Sequence, residues 1–209
     1  DITARPFRAA IGATIQGENP DLAASILKAA SFQDGRGLLL LSAFTGNKDA
    51  VTSTIKRGMV ERRDRVVSVA LLLGVSSGNT AIVKYLAVNG GDVNMAMIER
   101  DEKPLLGQDT QVYSPLLLAV LLGNQEMAEV LLDKGADPNW KAGMNSLLVG
   151  AIQKGQEKIV KTLLEHGAEL DPLTLFYAAG KPGIAALLLD KKVDVTAKIG
   201  GGETALMLA

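Results

Sequence analysis

The chain has 209 residues, 47% apolar and only 4% aromatic, with 22 basic and 23 acidic side chains for a formal net charge of −1. The apolar share excludes a disordered tail, and the balanced charge leaves no global field to attract nucleic acid or an anionic membrane. Cysteine is absent, which excludes disulfides, zinc–thiolate sites and thiol nucleophiles. The longest apolar runs (residues 38–41, 69–73 and 115–122) fall far short of the roughly 20 residues of a membrane span.

In chain order the sequence reads as a series of helical hairpins. The first, residues 8–30, has core positions Ala10, Ile11, Ala13, Leu22, Ile26 and Leu27, with Asn19 as cap and Pro20 as first helical residue of its second helix. The second opens at Gly37 and runs through Leu38–Leu41 to Gly46-Asn47. The third opens at Val69, reaches Gly78-Asn79 and continues as the amphipathic stretch 81–86. The fourth and fifth open at Ser114 and Ser146, turn at Gly123-Asn124 and Gly155-Gln156, and continue through 126–132 and 158–164. A sixth opens at Leu173, where Pro182 is placed to start the second helix. A seventh opens at Thr204 and breaks off inside its first helix at Ala209.

Each glycine of the first set ends a helix in a left-handed conformation that other residues adopt at a cost, and the Asn that follows can accept a hydrogen bond from an orphan amide of the next helix. A second set, Gly58, Gly90, Gly135 and Gly167, closes the second helices. No unit of this size buries its apolar face alone, so the units must stack.

Residues 114–139, 146–171 and 204–209 resemble the ankyrin repeat, whose signature is Thr-Pro-Leu-His-x-Ala in a unit of about 33 residues. Ser114-Pro115-Leu116 and Thr204-Ala205-Leu206 carry that resemblance, which extends over nearly the whole chain and weakens before about residue 36. It implies an all-α solenoid of stacked helix-turn-helix units with projecting β-hairpin or loop fingers. The expected units cover residues 1–33, 34–63, 64–108, 109–140, 141–171 and 172–196, with a partial unit over 197–209.

The resemblance also implies where a partner would bind: on finger tips and on the concave side of the first helices. Concave positions matching that pattern are Phe44, Thr45, Ser76, Ser77, Leu121, Leu122, Gln153 and Lys154. Finger positions are Arg36, Arg65, Tyr113, Trp140, Lys141, Met144, Asn145, Ile199 and Glu203. From these the expected docking residues are Phe44, Arg65, Tyr113, Leu121, Leu122, Trp140, Lys141, Met144 and Lys154, joined by Met97 and Ile98. Trp140, the only tryptophan, either anchors a partner or packs on the neighbouring unit.

Irregular units mark loops on one face. The interval from Val69 to Ser114 carries about 12 extra residues between 95 and 108. Its Met95, Met97, Ile98, Leu105 and Leu106 have no core slot in the repeat. They either fold back on the adjacent finger or form part of a docking surface, for which flexible methionines are suited. The stretch 57–65 holds Arg57, Arg62, Arg63 and Arg65, interrupted by Glu61 and Asp64, on the expected finger between the second and third units. It reads as a solvated face or as a contact for an acidic partner. The unit opening at Leu173 is short at both ends and should leave a notch in the row of fingers.

Catalytic signals are weak. His166, the only histidine, sits at the end of a helix, where a cation is favoured electrostatically. No phosphate-binding loop occurs, since Gly180-Lys181 is followed by Pro182, and no carboxylate pair can be nominated as acid and base. The expectation is a protein-binding scaffold without catalysis, cofactor, metal, nucleic acid or small-molecule substrate. The alternative is the substrate-targeting region of a larger protein such as a bacterial secreted effector, or an inhibitor or immunity protein. The start at Asp1 and the half unit at Ala209 suit continuation at either end.

Overall fold

The computed structural model describes residues 35–62, 64–99, 111–142, 145–170 and 172–191. The expected units at 8–30 and 197–209 lie outside these residues, as do Leu105, Leu106, Met144, Ile199 and Glu203.

Among the described residues the chain forms α1 (Gly35–Thr45), α2 (Lys48–Lys56), α3 (Arg65–Ser76), α4 (Thr80–Val88), β1 (Met97–Glu99), β2 (Gln111–Tyr113), α5 (Pro115–Leu121), α6 (Gln125–Asp133), β3 (Lys141–Ala142), β4 (Asn145–Ser146), α7 (Leu147–Gln153), α8 (Glu157–Glu165), α9 (Pro172–Tyr177) and α10 (Pro182–Asp190). Odd-numbered helices pack in sequence as a first row, α1 on α3, α3 on α5, α5 on α7 and α7 on α9. Even-numbered helices form a second row behind them. One hydrophobic core runs between the rows, from Leu39 and Val51 through Leu72 and Leu118 to Leu163 and Leu188. Each fully buried Leu in it contributes about 1.5–3 kcal/mol by leaving water.

The hairpin turns follow the expected chemistry. Gly123 (φ 68°) reverses the chain after α5, and Asn124 accepts a hydrogen bond from the Met127 amide at 3.0 Å to start α6. Asn47 caps α2 in the same way through the Ala50 amide. Two positions depart from the pattern. Asn79 makes no cap bond; its amide donates to Ser77 Oγ at 2.8 Å instead. Gln156 also fails to cap, because its longer side chain reaches across to donate to the Val120 carbonyl at 2.8 Å. Helices α9 and α10 both begin on proline, at Pro172 and Pro182.

The expected finger between the second and third units is a connection of turns and bends over residues 57–64, with no strand pair among its described residues. Asp64 accepts from the Val66 amide at 3.0 Å, and α3 then runs unbroken for 12 residues with every side chain from Val66 to Ser76 buried. Arg36 and Arg65 therefore sit in the first turns of α1 and α3 rather than on a finger. Both exposed connections that do form hairpins lie further along. Strand β1 pairs antiparallel with β2, Met97 opposite Tyr113 and Ile98 opposite Val112, and β3 pairs with β4. The enlarged finger is thus a β-hairpin at its root. Met95, expected to lack a core slot, is only 8% exposed and joins the core just before β1. Its unbranched thioether can fill an irregular gap there.

Asparagine side chains tie neighbouring units together at the finger roots. Asn94 donates to the Gly135 carbonyl (2.9 Å) and accepts from the Asp137 amide (2.8 Å). Asn139 repeats the arrangement one unit on, donating to the Gly167 carbonyl (3.2 Å) and accepting from the Glu169 amide (2.7 Å). Each asparagine satisfies two backbone groups that the turn after a second-row helix would otherwise leave to water.

Candidate partner-docking face

The hairpin roots lie at the start of α5 and α7, and the candidate concave positions at the end of the same helices. Ser114 starts α5 by accepting from the Leu117 amide at 3.1 Å, and Ser146 starts α7 by accepting from the Val149 amide at 3.2 Å. The same serine cap thus starts both helices, which pack against each other in the first row. Leu121 is the last residue of α5 and Leu122 its C-cap; both are partly exposed. Gln153 ends α7 and Lys154 caps it; both are exposed. At the hairpin root, Trp140 donates its backbone amide to the Asp137 carbonyl at 3.3 Å, and Lys141 follows on β3, exposed. Trp140 is partly buried and packs against the core, as one of its two expected roles required, and part of the residue stays accessible.

Two expected docking residues are not available to a partner. Phe44 is 6% exposed and Tyr113 4% exposed. Phe44 belongs to the apolar side of α1, whose sequence GRGLLLLSAFT offers few polar positions, and a ring gains more in the core than beside water. Tyr113 ends β2 at the finger base, next to the buried Ser114 cap, where the strand runs into α5. Ser76, at the matching position of α3, is buried and donates to the Leu73 carbonyl at 2.8 Å. Arg65 is exposed, on α3. Met97 and Ile98 lie on β1 beside this surface. The accessible surface at these matching positions thus increases along the chain, from buried Phe44 and Ser76 through half-exposed Leu121 to open Gln153.

Sequence reasoning opened the third unit at Val69 and missed the start of α3 at Arg65, although Asp64 ahead of a mainly apolar run is an N-cap signal. It also missed the Asn94 and Asn139 bridges; the asparagine in each Gly-x-Asp-x-Asn stretch was the visible trace.

The polar chemistry elsewhere is structural. His166 caps α8, with Nδ1 2.9 Å from the Thr162 carbonyl and Nε2 3.3 Å from Asp133 Oδ1 on α6. The Thr162 carbonyl first, and the Asp133 carboxylate after it, raise the His166 pKa above its ordinary 6.5. With Nδ1–H donated to Thr162, neutral imidazole would aim a lone pair at the carboxylate, so protonation is favoured. Among the described residues no cluster of His, Asp and Glu could hold a metal ion, and no helix is long and apolar enough to cross a membrane.

A family model described as "Ankyrin repeats (3 copies)" matches residues 96–174, which contain β1 to β4, α5 to α8 and the Asn139 bridge. The chain is also similar to a putative ankyrin repeat-containing protein of Treponema pallidum (strain Nichols), with 27% identity over 131 residues. That stretch is 62% of this chain and 40% of the relative, so the chain spans well under half of the relative's length.

Proposed function

The chain carries ankyrin repeats, which are generally protein-interaction modules, and from that premise we propose that it is a protein-binding scaffold with no catalysis of its own. The docking face is the side bearing the first-row helix ends and the hairpins. The observation that carries this reading is that Leu121, Leu122 and Trp140 stay partly exposed, and Lys141 and Lys154 exposed, on two consecutive units of the stack. Apolar and aromatic anchors inside a polar rim are the usual anatomy of a specific interface. The elements that position them are held by caps, cross-unit hydrogen bonds and a continuous core, so little ordering entropy is lost on binding. Met97, Ile98, Arg65 and Met144 complete the proposed contact set.

Pull-down from source lysate with wild type, Trp140→Ala and Leu121→Asp, each checked for helical circular dichroism, tests the reading. Proteins retained by wild type should be lost or depleted with both variants. Equal retention by folded variants would place the docking face elsewhere. A second reading follows from the relative's greater length: this region targets a larger protein, such as a bacterial secreted effector, to its substrate. An inhibitor or immunity role uses the same face. A longer gene product with a measurable activity of its own, guided to an unchanged partner by this region, would favour the targeting reading.

A further inference from the structure

We propose that this face accepts an acidic polypeptide segment carrying apolar side chains, an inference that rests on the docking reading above and adds the chemistry of the partner. The net charge of −1 conceals a segregation by row. Helices α1, α3, α5, α7 and α9 contain no Asp or Glu at all. Every carboxylate on a described helix lies in the second row, from Asp49 on α2 and Glu126 on α6 to Asp190 on α10. The first row and its hairpins instead expose Arg65, Lys141 and Lys154. Arg36 on α1 is already paired with Asp64 at 2.6 Å. Among the described strands the one carboxylate is Glu99, on β1. In the loops, Asp92 and Asp137 each commit a carboxylate oxygen to a backbone amide, those of Asn94 and Asn139, at 2.8 Å, while Glu61 and Glu169 are exposed.

Arg65 begins α3 and Lys154 follows the last residue of α7, two helices further along the first row. Packed helices stand about 8–10 Å apart, and the two residues are also offset by about 18 Å along the helices at about 1.5 Å per residue, so they are separated by roughly 25 Å. An extended peptide rises about 3.3 Å per residue, so about eight residues bridge them and cross α5, which ends on Leu121. That distance is more than two Debye lengths at 0.1 M salt, about 10 Å each. The cations therefore act as separate local contacts that also steer encounter, and the binding is salt-sensitive. A nucleic acid would use the cations but not the leucines. Trp140 is the single tryptophan, with part of its ring on the core, so no row of rings is available to stack bases.

The test is selection of a random peptide library on the immobilised full chain, followed by titration of enriched synthetic peptides read by Trp140 fluorescence. Enriched sequences should combine Asp or Glu with Leu, Ile or Phe. Their affinity should fall at least about tenfold in Lys141→Glu/Lys154→Glu at low salt, less in the neutral Lys141→Gln/Lys154→Gln variant, and also in Leu121→Asp. Neutral or basic peptides that lose binding only in Leu121→Asp would overturn the acidic partner while leaving the docking face intact. Peptides indifferent to all variants would overturn both. So would the absence of any enrichment. Tighter, lysine-dependent binding of a single-stranded oligothymidine than of any peptide would assign the face to nucleic acid and overturn the proposal.

Discussion

Replacing Asn139 with alanine should loosen the joint between the fourth and fifth helix pairs without disturbing either core. The Asn139 side chain donates to the Gly167 carbonyl at 3.2 Å and accepts from the Glu169 amide at 2.7 Å. Each intramolecular hydrogen bond contributes about 1 kcal/mol net. Both are solvent-exposed, so the freed groups recover part of their energy from water. The expected cost is therefore about 1–2 kcal/mol, well below the roughly 2–5 kcal/mol of a buried Leu→Ala change. In a stacked array stability is a sum of unit and interface terms, so this loss belongs to the interface. Urea unfolding followed by circular dichroism should show a lower midpoint. Native-state hydrogen exchange should show faster exchange at the Glu169 amide, while amides in α2 keep their protection. A cost below about 0.5 kcal/mol with unchanged Glu169 protection would refute the bridge as an energetic feature.

Two glycine substitutions separate backbone strain from collision. Gly135 has φ 88° with nothing within 4 Å of an added Cβ, so Gly135→Ala should cost only the left-handed penalty of about 1–2 kcal/mol. Gly90 has φ 101° and its added Cβ would collide with the Arg62 carbonyl, so Gly90→Ala should cost at least twice as much by the same urea assay. The raised pKa of His166 predicts a pH dependence with a definite sign. Its protonated form is favoured in the folded chain, so its stabilisation is full below about pH 6.5 and is lost as pH rises through the folded pKa. The difference in thermal midpoint between wild type and His166→Gln should favour wild type near pH 5.5 and vanish near pH 8.5. A difference independent of pH would remove the Asp133 contact as its source.

The repeat architecture was legible from residues whose roles are local. A left-handed turn selects glycine by its own φ, as at Gly123, and Ser114, Ser146, Asn47 and Asn124 each accept from the amide three residues ahead. Pro182 at the start of α10 follows from the missing amide alone. Such rules act within one turn of chain, so the sequence by itself determined them.

What depended on neighbouring units was decided only by tertiary packing. Asn79 and Asn124 follow glycine alike, yet Asn79 turns to Ser77, which itself leans on the Ala43 carbonyl at 3.3 Å in the preceding unit. Phe44 and Leu121 occupy matching positions, but one is core and the other surface, because exposure is set by how far adjacent units close over a residue. Helix α3 starts at Arg65, ahead of the expected Val69, because Val66 and Val67 found a core to enter. The confinement of helix carboxylates to the second row likewise takes effect only when hairpins stack: residues a few positions apart in sequence then belong to different rows of the protein.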